Sequence, residues 1–239
     1  LQYQAKQDLK THEVCGMEAL LRWRHPELGV LAPMTFIPLA EETGLIVPIG
    51  KWVLETACAQ NVEWQKAGHP PIFMAVNISA RQFVDGFLLD DIRNALDRTG
   101  MAPHLLELEL TESMVVQNPA RASALLEETR RLGVRVAIDD FGTGFSSLAQ
   151  LKSFPIHTLK VDQSFIRNLD DSIEDRAMTK AIITMGKTPG LTLVAEGVEI
   201  AGQQSFLDDN ECDHIQGYLF SRPLDADLIP QFLAEKRSA

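Results

Sequence analysis

Polar and charged side chains recur at the ends of short apolar runs in this sequence: Glu18, Asn77, Glu109 with Glu112 beyond it, Asp139-Asp140, Lys160 with Asp162, Glu196 with Glu199 beyond it, and Gln216. A single carboxylate after an apolar run has an ordinary explanation, since Asp and Asn cap helices and shape turns. The joint pattern asks for more. Four or five carboxylates gathered together repel and raise one another's pKa values, so cations must accompany them. Carboxylate and amide oxygens without a His or Cys cluster suit hard divalent ions such as Mg²⁺ or Mn²⁺ better than zinc. None of the six His residues pairs at His-x-His or His-x-x-x-His spacing.

Neighbouring side chains on a regular strand point to opposite faces, so Asp139 and Asp140 reach one site only if the strand ends there. Phe141-Gly142-Thr143-Gly144-Phe145 supplies that break. One carboxylate shared by two ions, with its neighbour on the second alone, is a common way to hold a metal pair. Lys160 and Asp162 are two apart and share a face, where the lysine can orient a water or steady negative charge. Arg22, four beyond Glu18, faces the same way on an extended strand and can grip an anionic substrate. Two hard metals, acidic ligands, a lysine and an arginine point to hydrolysis of a phosphoester. Two rivals remain at this point: a ligand sensor that keeps the pocket without metals, and an enolase-like, metal-assisted proton abstraction.

These residues need a frame. Short β-branched or Leu-rich runs predict strands over Gln2–Asp8, Val14–Leu21, Ile72–Asn77, Leu105–Leu110, Val134–Asp139, Ile156–Val161, Leu191–Glu196 and Asp213–Gln216. Helical periodicity lies in Ile49–Lys66, Leu88–Arg98, Pro119–Leu132, Ile173–Lys187 and Leu224–Glu235. Only His12 and its neighbours separate the first two strands, so these pair antiparallel. About eight strands alternating with helices in 239 residues predict an α/β fold, a (β/α)8 TIM-like barrel with its first strand antiparallel to the rest. The competing open doubly wound sheet lacks its Gly-x-Gly-x-x-Gly turn after the first strand. A barrel brings strand ends to one mouth, and strand alternation places Glu107 one layer below Glu109, where it is expected to pair with Arg135.

Composition narrows the function further. Acidic residues outnumber basic ones 33 to 22, a net charge of −11, which argues against a nucleic-acid polymer as partner. With 45% hydrophobic residues the chain can bury a sizeable core, yet no apolar run reaches the roughly 18 residues of a membrane span. The start Leu1-Gln2-Tyr3-Gln4, without an initiating Met, reads as one domain over residues 1–239 excised from a longer protein, any membrane anchor lying outside it. Cys15, Cys58 and Cys212 lie far apart without Cys-x-x-Cys spacing, which fits the reducing cytoplasm.

At Glu18-Ala19-Leu20, continued as Leu21-Arg22-Trp23-Arg24-His25-Pro26, the sequence resembles the EAL family of cyclic di-GMP phosphodiesterases. The likeness runs through Phe36-Ile37-Pro38-Leu39-Ala40-Glu41-Glu42-Thr43-Gly44, Asn77-Ile78-Ser79, Glu109-Leu110-Thr111-Glu112, Asp139-Asp140-Phe141-Gly142-Thr143-Gly144, Lys160-Val161-Asp162, Ala195-Glu196-Gly197-Val198-Glu199 and Gln216-Gly217-Tyr218. It implies a barrel with a reversed first strand and opening of cyclic di-GMP to linear pGpG. It implies Glu18, Asn77, Glu109 and Asp139 on a first metal, with Asp139 shared and Asp140 on the second. Glu196 would be a ligand of the second metal or the general base, and Lys160 would hold the attacking water or a metal-bound oxygen. Gln216 would complete the site and Arg22 would contact a substrate phosphate. Glu112 would anchor the loop from Asp139 to Ser147, while Glu199 and Asp162 would support the inner residues. The resemblance also implies two ions, Mg²⁺ or Mn²⁺, with Ca²⁺ binding unproductively, a homodimer, and sensor, receiver or GGDEF domains elsewhere in the full-length protein. Two departures, Tyr3-Gln4-Ala5 for the family's Tyr-Gln-Pro and the helix exit Lys187-Thr188-Pro189-Gly190, lie away from the proposed metals.

Overall fold

Leucine and glutamate alternate through Leu106–Thr111, and in the computed structural model of the chain this period of two sorts them by face. Leu106, Leu108 and Leu110 pack in one core with helix residues such as Ile92 and Leu126, while Glu107 and Glu109 are buried on the other face. Each such leucine stabilises the fold by roughly 1.5–3 kcal/mol on burial. The ionic face requires partners inside the barrel. The structure describes residues 1–142 and 154–236.

The chain begins with β1 (Gln2–Asp8) and β2 (Val14–Leu20), followed by a hairpin of β3 (Trp23–His25) and β4 (Gly29–Leu31). Helices α1 (Pro33–Thr43) and α2 (Ile46–Lys66) lead to β5 (Phe73–Asn77), and α3 (Ala80–Asp85) and α4 (Leu88–Thr99) to β6 (Leu106–Thr111). After α5 (Glu112–Gln117) and α6 (Pro119–Arg131) come β7 (Arg135–Phe141) and β8 (Thr158–Val161). The remainder is α7 (Gln163–Ile166), α8 (Ile173–Lys187), β9 (Thr192–Glu196), α9 (Ala201–Asp209), β10 (His214–Gln216), β11 (Leu224–Asp225) and α10 (Ile229–Lys236).

Strands pair in the order β1-β2-β5-β6-β7-β8-β9-β10, and β10 returns to β1, closing an eight-stranded ring. β1 is antiparallel to both its ring neighbours and the other ring pairings are parallel, as the short connection after β1 predicts. β11 lies outside the ring, pairing with Gln2 and Tyr3 of β1. Helix α2 buries Ile46, Val53, Leu54, Ala57, Cys58 and Trp64, a stripe at spacings of three, four and seven.

Three expectations change. The helix predicted over Leu224–Glu235 is split: Leu224 and Asp225 pair with Gln2 and Tyr3, the part of β1 that β10 leaves uncovered, and the helix starts only at Ile229. Helix α1 was hidden from the periodicity by Pro38 in its interior, a residue that costs an isolated helix about 3 kcal/mol. β7 does not stop at Asp139 but continues to Phe141 through a register shift after Ile138, with Asp140 in the left-handed region at φ 55°. That bulge, rather than a strand end, breaks the alternation and lets both aspartates serve the mouth. Of the glycine-containing run that follows, Thr143, Gly144 and Phe145 lie outside the described residues, as does Ser147.

Candidate active site

Glu18 near the end of β2 is fastened by two amides: Asn77 Nδ2 donates to its Oε1 and Gln216 Nε2 to its Oε2, each at 2.6 Å. Direct pairing of β2 with β5 sets Asn77 beside Glu18, and closure of β10 on β1 brings Gln216 to them from the far end of the chain. At the centre stands Lys160 of β8, with Nζ 2.7 Å from Glu196 Oε1, 2.8 Å from Glu109 Oε2, 3.1 Å from Asp139 Oδ2 and 3.8 Å from Glu18 Oε2. Carboxylate oxygens of Asp139, Asp140 and Glu196 all lie within 4.8 Å of one another. The cluster sits between two cavities. One of about 310 Å³ is lined by Gln4, Glu18, Glu196, Glu199, Gln216 and Tyr218, and the other, of about 580 Å³, reaches Asn77, Ser79, Met114 and Asp140.

Burial and crowding set the electrostatics. Burial, then the neighbouring Glu109, raise the pKa of Glu18. Burial pushes Glu196 up to about 8, with Asp139, Glu18 and Glu109 adding to the rise against the pull of Lys160. Asp140 is raised by burial and by Asp139 and Asp162 beside it. Glu109 goes the other way: burial works against its charge, but Lys160 and Lys6 outweigh it and hold the group at about 2. Lys160 is held charged by its carboxylates despite full burial. The upward shifts share one cause: burial and crowding both penalise a further negative charge beside those already there.

The donor set fits hard divalent cations. Five carboxylates, Glu18, Glu109, Asp139, Asp140 and Glu196, face two buried ammonium groups, those of Lys160 and Lys6. Gln216 Oε1 is buried with no hydrogen-bond partner among the described residues, an acceptor left beside Glu18. The oxygen-only chemistry matches Mg²⁺ or Mn²⁺ better than zinc.

The remaining sequence-derived residues fall less uniformly. Glu112 is buried at the start of α5 and accepts a 3.0 Å hydrogen bond from Gly142 N, on the loop after the aspartates. Glu199 lines the smaller cavity, with its backbone held by Gln203 Oε1. Asp162 is displaced from the strand face expected for it: it lies beyond β8 and caps α7, accepting from Ser164 N at 3.0 Å. Arg22 is likewise corrected in its geometry. β2 ends at Leu20, so alternation does not extend to Arg22, which donates from Nε to Gln2 Oε1 at 3.0 Å and lines a neighbouring apolar cavity with Trp23 and Phe36.

Two residues escape a reading confined to carboxyl strand ends. Gln4 accepts from Gln216 Nε2 at 3.2 Å and lines the mouth, and Lys6 donates to Glu109 Oε1 at 2.7 Å. Both stand on the reversed strand, whose amino end faces the mouth, and the antiparallel assignment was the signal that could have found them. The Glu107–Arg135 pair is present as expected, at 3.3 Å.

Such a closed ring of strands with helices around it and its reversed first strand defines an α/β barrel with carboxylates gathered at its mouth. The chain belongs to the EAL domain family, whose model matches residues 1–223. It is 46% identical over 229 residues to the bifunctional diguanylate cyclase/cyclic di-GMP phosphodiesterase MucR of Pseudomonas aeruginosa, covering 96% of this chain and 33% of MucR. It is 45% identical over 237 residues to the cyclic di-GMP phosphodiesterase NbdA of the same organism, covering 99% of this chain and 30% of NbdA. The chain thus spans about a third of the length of these curated relatives. Among solved structures, the PaMucR phosphodiesterase in complex with c-di-GMP superposes with a TM-score of 0.93 at 45% identity, over 96% of this chain and 93% of that one. No helix among the described residues is long and apolar enough to cross a membrane.

Proposed function

We propose that this domain hydrolyses cyclic di-GMP to linear pGpG with the help of two divalent cations, Mg²⁺ or Mn²⁺. The observation that carries this reading is the convergence on Lys160 of Glu18, Glu109, Asp139 and Glu196 from four strands, within 3.8 Å. The similarity to proteins named for cyclic di-GMP hydrolysis supports the substrate. So do the two cavities lined in part by residues of the cluster, which leave room for a ligand there.

Glu18, Asn77, Glu109 and Asp139 would hold the first cation, and Asp139 and Asp140 the second. Bound cations would neutralise the substrate phosphate, activate water and steady the leaving oxygen. Glu196, its carboxyl raised by burial, is suited to take a proton from the attacking water or to ligate the second cation. Lys160 orients that water, held by the carboxylates around it. Gln216 fixes Glu18, Arg22 takes a phosphate oxygen, and Glu112 tethers the loop after Asp140 through Gly142 N. Asp162 and Glu199 support this inner set. Ca²⁺ is expected to bind without supporting turnover. In the cell the domain is proposed to work in the cytoplasm, as a homodimer, within a longer protein carrying sensor or GGDEF domains, and a membrane anchor would belong to those outer parts.

The test is incubation of the domain with cyclic di-GMP and Mg²⁺ or Mn²⁺, following pGpG. Turnover that EDTA stops supports the proposal. Tight binding without turnover would make the domain a cyclic di-GMP sensor instead.

A further inference from the structure

Below the mouth a line of alternating charges crosses the barrel. Arg135 lies over the Phe73 ring at 4.6 Å and reaches Glu107 Oε2 at 3.3 Å, where Thr158 Oγ1 also donates at 2.6 Å. Glu107 Oε1 is 3.5 Å from Lys6 Nζ, and Lys6 Nζ is 2.7 Å from Glu109 Oε1. Glu109 Oε2 then meets Lys160 at 2.8 Å. The two oxygens of Glu109 are therefore divided between two lysines. Lys160 has three N–H groups and already faces Glu196 and Asp139 within 3.1 Å, whereas among the described residues the Lys6 ammonium serves Glu107 and Glu109 alone.

Lys6 reaches this place because β1 is reversed and because its partner in register on β2 is Gly16. A Cβ at residue 16 would stand 3.3 Å from Phe73 Cβ and 3.8 Å from Lys6 Cδ, so any longer side chain there competes with the lysine stem.

We propose that Lys6 is a positioning residue: by holding Oε1 from below it orients the Glu109 carboxylate, so that Oε2 is presented to the cation-binding cluster. This rests on the reading of the mouth as a divalent-cation site. Removing Lys6 frees Glu109 to turn and draws Lys160 toward it and away from Glu196.

Loss of Lys6 alone also makes the pocket more negative, which by itself attracts a cation. The decisive variant therefore conserves net charge. Lys6→Met/Glu107→Gln removes one charge of each sign, while Glu107→Gln alone keeps Lys6 on Glu109. Mn²⁺ affinity is read by EPR of the free ion, beside thermal melts in EDTA. Glu107→Gln is expected to stay within about threefold of wild type, and the double variant to bind Mn²⁺ roughly 10–100-fold more weakly, the usual cost of losing an outer-shell partner. Should that protein fail to fold, Lys6→Gln/Glu107→Gln keeps a polar pair of shorter reach and is expected to lose at least about threefold. Folded double variants that bind Mn²⁺ as Glu107→Gln does would overturn the inference and leave the cation site standing. A wild-type domain that takes up no Mn²⁺ would overturn the cation reading, and the role of Lys6 with it.

Discussion

Lys160 Nζ lies 2.7 Å from Glu196 Oε1, yet this contact does not hold the carboxyl in its ordinary range. Burial and three other carboxylates outweigh the lysine and raise Glu196 to about 8 from 4.5. A group whose folded pKa is raised adds stability below its unfolded value and loses it as pH climbs through the folded one. The metal-free protein should thus lose the Glu196 contribution between about pH 4.5 and 8. Glu196→Gln cannot deprotonate, so in EDTA its melting temperature relative to wild type should rise from pH 5 to pH 8.5. A constant difference across that range would contradict the assignment. Cleavage by the same variant should fall by roughly 10²–10⁴, the range for a lost acid–base group.

Cation removal gives the second prediction. The carboxylate cluster is most strained when every member is charged, so Mn²⁺ or Mg²⁺ should stabilise the fold at pH 8. At a hundredfold excess over Kd the gain is about 2.7 kcal/mol. Melts with and without EDTA measure it, and Ca²⁺ should stabilise without restoring pGpG formation.

Gly217 follows Gln216 where the chain passes the backbone of Val198. A Cβ there would lie 2.1 Å from Val198 O and 2.3 Å from Val198 N, so backbone itself must move. Gly217→Ala should cost about 3 kcal/mol or more, at the upper end for overpacking, and should weaken cation binding by shifting Gln216 off Glu18. Urea denaturation together with Mn²⁺ titration tests both halves.

Arg22 is half-buried and outside the carboxylate cluster, bonded to Gln2 and to the Leu21 carbonyl. If it takes a substrate phosphate, Arg22→Ala removes a charged hydrogen bond of roughly 1.5–3 kcal/mol, raising KM by about 10–100-fold. Stability should change by less than about 0.5 kcal/mol. Steady-state kinetics decide it: a fall in kcat with KM unchanged would place Arg22 elsewhere in the reaction.

Much of this protein is set by residue order alone. Apolar runs ending in oxygen ligands, with too short a link for a crossover after the first strand, already determine a barrel with one reversed strand and a rim of carboxylates. Local pattern can do this because strand alternation and loop length are local constraints. Tertiary structure decided the rest. Asp140 serves the mouth through a bulge, which depends on how β7 meets β8. Asp162 became a helix cap and Arg22 left the strand face, because strand ends are fixed by partners distant in sequence. Lys6 and Glu109 are 103 residues apart, and their contact exists only once β1, β2, β5 and β6 pair in one sheet and that sheet curls into a barrel. Ring closure sets which charges meet in a medium that cannot screen them, and that proximity determines the balance of their ionisation.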